Sequence, residues 1–131
     1  MSKGKRIILI VIVALAVIAA GIVIMINNLS GNLDTYKDYD FSGLNLTDVK
    51  DGIYTGSEDA GIIKVQVEVT VKDHVITDIK ILSHDNGRGK PAEAIVDNIV
   101  ANNSLGVDAI SGATYSSQVI KVAVYNALTK R

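Results

Sequence analysis

Between Ile7 and Ile26 the chain runs IILIVIVALAVIAAGIVIMI, without a charge or a strongly polar side chain. About 20 such residues make a helix about 30 Å long, the thickness of the hydrocarbon core of a bilayer. Lys3, Lys5 and Arg6 precede the run, and a basic flank of this kind stays on the cytoplasmic side. The run therefore predicts an uncleaved, single-pass anchor in the cell membrane over 7–26. Residues 1–6 are then a cytoplasmic flank, and everything after Ile26 is extracytoplasmic. A cleaved signal peptide has a shorter apolar stretch, roughly 7–15 residues, followed by a small-residue cleavage site. This run ends instead in Met25-Ile26-Asn27-Asn28, which offers no such site. A buried core helix is the other alternative, but the rest of a 131-residue chain is too small to surround a helix apolar on every face.

The absence of cysteine removes disulfides, thiolate metal sites, cysteine nucleophiles, a lipoprotein anchor and haem attachment through Cys-x-x-Cys-His. No metal site is expected. Of the 13 basic side chains three lie in the flank, whereas none of the 14 acidic ones precedes Asn27, so the external part carries a net charge of −4. That balance argues against nucleic acid as a partner.

Asn27 to about Leu46 is rich in Asn, Ser, Gly, Asp and Tyr and shows neither helical nor strand period, so 27–47 reads as a linker lifting a domain off the membrane. The folded domain is expected over 48–131. Asp51-Gly52-Ile53-Tyr54-Thr55-Gly56 enters a short strand that gives way to a loop around Ser57 to Gly61. Ile63, Val65, Val67, Val69 and Val71 then alternate with Lys64, Gln66, Glu68, Thr70 and Lys72, the period of a half-buried strand. Asp73-His74 makes a tight turn into a partner strand over Val75 to Leu82, and Ser83 to Lys90 reads as a polar loop. Pro91, the only proline, suits the first turn of a helix whose apolar face is Ala92, Ile95, Val96, Ile99 and Val100. A last helix, from about Ser116 to Leu128, carries its stripe on Ile120, Ala123, Val124, Ala127 and Leu128. The fold class is α+β: an antiparallel sheet with helices packed on one side, preceded by a single N-terminal transmembrane helix.

Where an extended stretch meets that last helix the sequence is Asp108-Ala109-Ile110-Ser111-Gly112-Ala113-Thr114-Tyr115-Ser116-Ser117. Gly112 and Ala113 let a ligand approach the backbone, and Ser116 and Ser117 put hydroxyls and N–H groups at a helix N-terminus, where phosphate is favoured. Thr114 offers a hydroxyl at the lip. The plainer alternative is that either serine is only an N-cap and Gly112 only a turn residue. A serine hydrolase fits less well, because the sequence is not Gly-x-Ser-x-Gly and leaves only His74 and His84 as bases.

These ten residues resemble the signature of the FMN-binding domain family, Asp-(Ala/Gly)-(Ile/Val)-Ser-Gly-Ala-Thr-x-(Ser/Thr)-Ser, at every fixed position. That family includes the periplasmic flavin subunits of the sodium-translocating NADH:quinone reductase and of the Rnf complex. The resemblance also covers Asp51-Gly52-Ile53-Tyr54-Thr55-Gly56, similar to the family's opening Asp-Gly-x-Tyr-x-Gly, and so extends over roughly Lys50 to Leu128. It implies FMN held covalently, with Thr114 as the phosphoester residue, attached by a flavin transferase that consumes FAD. Ser111, Gly112, Ala113 and Ser117 would be context that this enzyme reads, together with Asp108. Two departures stand out. The usual Asp-Gly turn is Asp73-His74, and the His-x-Glu-Thr of the respiratory subunits is replaced by His84-Asp85-Asn86-Gly87-Arg88-Gly89-Lys90.

That replaced loop raises a separate expectation, that Arg88, Lys90 or His84 contacts the flavin, where a positive charge near N1 would raise its potential. A solvated loop is the alternative. Tyr115 and Tyr54 are candidates to stack on the ring, against core packing for Tyr54. A covalent link suits a compartment where free FMN is scarce. The expected function is electron transfer between donor and acceptor proteins or quinone. A surface reductase of a small molecule, or a binding module with the motif unmodified, stands as the alternative.

Overall fold

The computed structural model describes residues 2–85 and 90–129. Helix α1 (Lys3–Asp34) carries the apolar run, and its side chains from Ile7 to Ile26 are exposed on every face. Over Lys3–Asn28 it is long and apolar enough to cross a membrane, and a signal sequence passes the same test. The chain divides into two compact units, Met1–Gly31 and Asn32–Arg131.

The second unit is built on three antiparallel strands in the order β1 (Gly52–Asp59), β2 (Lys64–Lys72) and β3 (Val75–Asp85). The alternation along β2 is what the sequence predicts: Val65, Val67, Val69 and Val71 are buried and the lysines at both ends are exposed. Asp73 and His74 both take positive φ, 52° and 62°, the pattern of the type I′ turn that matches strand twist in a two-residue hairpin. No glycine is needed, because Asp and His are among the few side chains that visit this region.

Two register shifts interrupt the pairing of β2 with β3. Val71 faces Ile76 while Thr70 faces Asp78, and Val67 faces Ile81 while Gln66 faces Ser83, so Thr77 and Leu82 are extra residues on β3. Each extra residue reverses which parity of side chain points inward. The inner face therefore reads Ile76, Ile79, Ile81 and His84, and Leu82 is left exposed on the bulge. Strand β3 thus runs three residues beyond its expected end at Leu82 and takes His84 out of the loop.

Two helices cover the inner face of the sheet. After a 3-10 turn (Lys90–Ala94), α2 (Ile95–Asn102) buries Ile95 and Ile99. It ends on Asn103 in the left-handed conformation, whose side chain accepts from the Ile76 N–H at 2.8 Å. Helix α3 (Thr114–Thr129) begins two residues before the expected start and crosses β1 at Gly56. A Cβ at Gly56 would overlap the Ala123 carbonyl oxygen and the Ala127 nitrogen, so glycine is what lets strand and helix backbones meet. The expected stripe of Ile120, Ala123, Val124, Ala127 and Leu128 is buried against the sheet. Ile120, Val124 and Leu128, each fully buried, contribute about 1.5–3 kcal/mol apiece.

The linker is where the structure departs furthest from expectation. Helix α1 continues to Asp34, and the chain from Tyr36 to Val49 folds onto the second unit as a strap. Tyr36, Tyr39, Phe41 and Tyr125 form an aromatic cluster with centroids 5.0–6.5 Å apart between successive rings. Leu44 and Leu46 pack on the same core, and His74 Nδ1 lies 3.1 Å from the Leu46 carbonyl oxygen and 3.2 Å from that of Val49. The strap covers the side of α3 that a two-layer fold would leave wet. Gln118 and Lys121 are buried against it, and Ser116, Ser117 and Asn126 are buried along the same helix. The folded unit begins with this strap rather than at residue 48.

Candidate functional site

The motif segment is shaped by one hydroxyl. Ser117 Oγ accepts from the Ile110 N–H at 2.9 Å and donates to the Ala113 carbonyl at 2.8 Å, with no exposure at all. Between those anchors the Ala113 N–H bonds the Ile110 carbonyl at 2.9 Å, closing a turn over Ser111 and Gly112. Gly112 sits at φ +78°, the value required at the third position of a type II turn and disfavoured for any side chain. Ala113 then accepts the first helical bond, from the Ser117 N–H at 3.0 Å, and Thr114 is the first residue of α3.

The consequence is a sharp boundary between exposed and buried. Ser111, Gly112 and Thr114 are exposed, Tyr115 is half-buried, and Ala113 and every residue from Ser116 to Val124 are buried. Thr114 makes no side-chain hydrogen bond among the described residues. The N–H groups of Thr114 and Ser116 find no backbone acceptor there, as helix geometry requires for a first turn. No acidic residue lies in that turn. The Ser116 hydroxyl is buried without a hydrogen-bond partner. Around Gly112 the space a Cβ would fill is open, with nothing within 4 Å. Exposed hydroxyl, unpaired N–H donors, an orphaned hydroxyl and open backbone suit an anionic, phosphate-bearing group at Thr114, so the residues present fit FMN.

The two serines divide differently from the sequence expectation. Ser117 spends both its donor and its acceptor on the backbone of its own turn, so it shapes the site and offers no hydroxyl to a ligand. Tyr115 holds the Lys37 ammonium over its ring, 5.3 Å from the centroid. Tyr54 is half-buried on β1 and donates to the Lys50 carbonyl at 2.6 Å, a packing role. On β3, His84 has its ring buried and Nδ1 3.1 Å from Glu93 Oε1. Lys90 opens the 3-10 turn and is exposed, while Arg88 lies outside the described residues.

Residues that sequence reasoning passed over surround the motif from the strap side. Gln118 donates Nε2 to the carbonyls of Tyr36 at 2.8 Å and Lys37 at 3.3 Å. Lys121 donates to the Val107 carbonyl at 2.8 Å and lies 5.0 Å from the Phe41 ring centroid. Burial lowers the pKa of its ammonium, and the nearby Asp108 carboxylate offsets part of that effect. Asn126 donates to the Ser57 carbonyl and to Glu58 Oε2, at 2.8 and 2.7 Å, while Tyr36 donates to Glu58 Oε1 at 2.9 Å. Burial and then the bond to Glu58 push the Tyr36 phenol up to about 12. The signal for these contacts was present as polar residues set among the apolar stripe of a single helix, but its meaning depends on the strap.

Beside the segment leading into the motif, a cavity of about 490 Å³ is lined by Asn98, Asn102, Ser104, Gly106, Val107 and Asp108. Its amide and hydroxyl lining is polar.

Comparison with known proteins adds one finding. Neither the curated proteins nor the solved structures yield a match. The family model of the FMN-binding domain matches residues 60–129, more than half of the chain, and spans both the hairpin and the whole of the Asp108–Ser117 segment. With that match and a site whose geometry fits a phosphate-bearing flavin, this chain belongs to the FMN-binding domain family.

Proposed function

We propose that the protein is a membrane-anchored flavoprotein carrying FMN as a phosphoester on Thr114 and relaying electrons outside the cytoplasm. The observation that carries this reading is the placement of Thr114. It is the one exposed hydroxyl on the first turn of a helix that is otherwise buried, held out by the Ser117-braced turn within a matched FMN-binding domain. Bound flavin would supply one- and two-electron chemistry. This chain's part is to present the attachment oxygen, to keep carboxylates out of the first turn and to fix the mount. Neither His74 nor His84 stands beside Thr114 as a base in the contacts described. His74 binds strap carbonyls and His84 faces Glu93, so electron transfer is favoured over proton-coupled turnover of a substrate. Partners in this reading are a flavin transferase using FAD, the membrane, and redox proteins or quinone as donor and acceptor.

The test is an intact mass of the denatured full chain after co-expression with a flavin transferase. The wild type should be heavier by FMN less one water, and Thr114→Ala should show no increment. A wild type of unshifted mass, with a control substrate labelled in parallel, would sink the covalent reading and leave a reversible phosphate site.

A further inference from the structure

We infer that Lys121 is a positioning residue, whose ammonium holds the segment ahead of Thr114 in the form that a flavin transferase recognises. The inference rests on the covalent reading above and adds a residue outside the Asp108–Ser117 motif. Residues 106–110 belong to no helix or strand, so no ladder of backbone bonds fixes them. Leu105, Val107 and Ile110 pack against the core, which sets how deep the segment lies. Apolar packing is non-directional, however, and leaves open which way the peptide groups face. Direction comes from α3. Ser117 Oγ takes the Ile110 N–H at 2.9 Å, and four residues further on Lys121 Nζ donates to the Val107 carbonyl at 2.8 Å. Residues so spaced share a helix face, so the two side chains grip the segment on either side of Asp108 and Ala109.

The grip reaches the first residue of the motif. Asp108 is exposed, and its carboxylate stands close enough to the buried ammonium to offset part of the cost of burial. The Phe41 ring of the strap lies 5.0 Å from the same ammonium, so Lys121 is ordered by strap and motif together. A buried charge stabilises a fold little more than a well-packed apolar side chain of similar volume. What it adds here is orientation. The Val107 carbonyl is turned inward, and the Asp108 carboxylate is kept at one place on the surface, six residues ahead of the attachment hydroxyl. An enzyme that binds this segment then meets it already ordered and loses no affinity to ordering it.

The test uses the full chain in detergent as wild type, Lys121→Met, Asp108→Asn and the double variant, with loading by the transferase followed by intact mass. Methionine keeps the apolar stem and removes the charge, and a cooperative urea transition shows that each variant is folded. KM for Lys121→Met should rise about tenfold or more, what a lost hydrogen bond from a charged group is worth. Its kcat should stay within about twofold of wild type, because recognition is lost and chemistry is not. Asp108→Asn should raise KM in the wild type and raise it less on Lys121→Met, because the two residues act through one contact. A role in stability alone would lower the urea midpoint and leave KM where it was, and that result would overturn the assignment. So would an Asp108→Asn effect of the same size in both backgrounds. Lys121→Gln, uncharged but polar, carries the same expectation if Lys121→Met does not unfold cooperatively. A wild type that gains no mass is a different failure, seen before any KM is measured, and it overturns the covalent reading itself.

Discussion

At the scale of single residues, the exposure of Thr114 is set by a side chain that never reaches the surface. Ser117 Oγ bridges the Ile110 N–H and the Ala113 carbonyl, and the turn between them needs Gly112 at positive φ. Replacing Ser117 by Ala removes both bonds and leaves the part-buried Ile110 N–H unpaired, while the Ala113 carbonyl keeps the Ser117 N–H, a loss of about 1–3 kcal/mol. Urea unfolding of the full chain in detergent measures this. Loading at Thr114 by the transferase should fall alongside, because the turn that presents the hydroxyl loosens. Stability equal to wild type would mean that the turn is held by something other than this hydroxyl.

At the scale of elements, the strap and α3 depend on each other. Tyr36 hangs between them, bonded through its phenol to Glu58 and through its carbonyl to Gln118. Its phenol is pushed from 10.0 up to about 12, so the protonated form is the one the fold favours. Stability from this contact is complete below about pH 10 and is lost as pH climbs towards about 12. The urea midpoint of the wild type should therefore fall over that window by more than that of Tyr36→Phe, in which the contact is missing at every pH. Parallel pH profiles for the two would show that the phenol does not hold the strap. The sequence displayed β2 plainly, because Ile63 to Val71 alternate without a break and nothing competes with that period. It displayed β3 only to Leu82, because the extra residues Thr77 and Leu82 shift the parity and make a continuous strand look finished. The strap was not legible. An irregular segment has no period, so Tyr36, Tyr39, Phe41, Leu44 and Leu46 read as stray apolar residues in a polar linker. Once they are placed, Gln118, Lys121 and Asn126 make sense as the buried polar side of a helix covered on both faces. For the candidate site, the turn at Gly112 was visible in the motif, whereas the division of labour between Ser116 and Ser117 needed coordinates.

At the scale of the whole molecule, orientation is the open claim of the proposed function, and the absence of cysteine makes it easy to examine. Ser2→Cys and Asp97→Cys each introduce one thiol, at the start of the chain and on exposed α2. An impermeant maleimide on intact cells should label Asp97→Cys at once and Ser2→Cys only after permeabilisation. Labelling of Ser2→Cys alone in intact cells would invert the topology, and a mature chain lacking its N-terminus would make the apolar helix a signal sequence. The abrupt change from exposed Thr114 to a helix buried from Ser116 onward has a consequence for how a ring could be seated. A group bonded by one atom to so stiff a mount sweeps only a shell as wide as its own length. Its effective concentration over the neighbouring surface is then on the order of millimolar, as for any short tether. A resting place on this domain can therefore work with contacts far too weak to retain the same molecule free in solution, and a shallow, polar surface is enough.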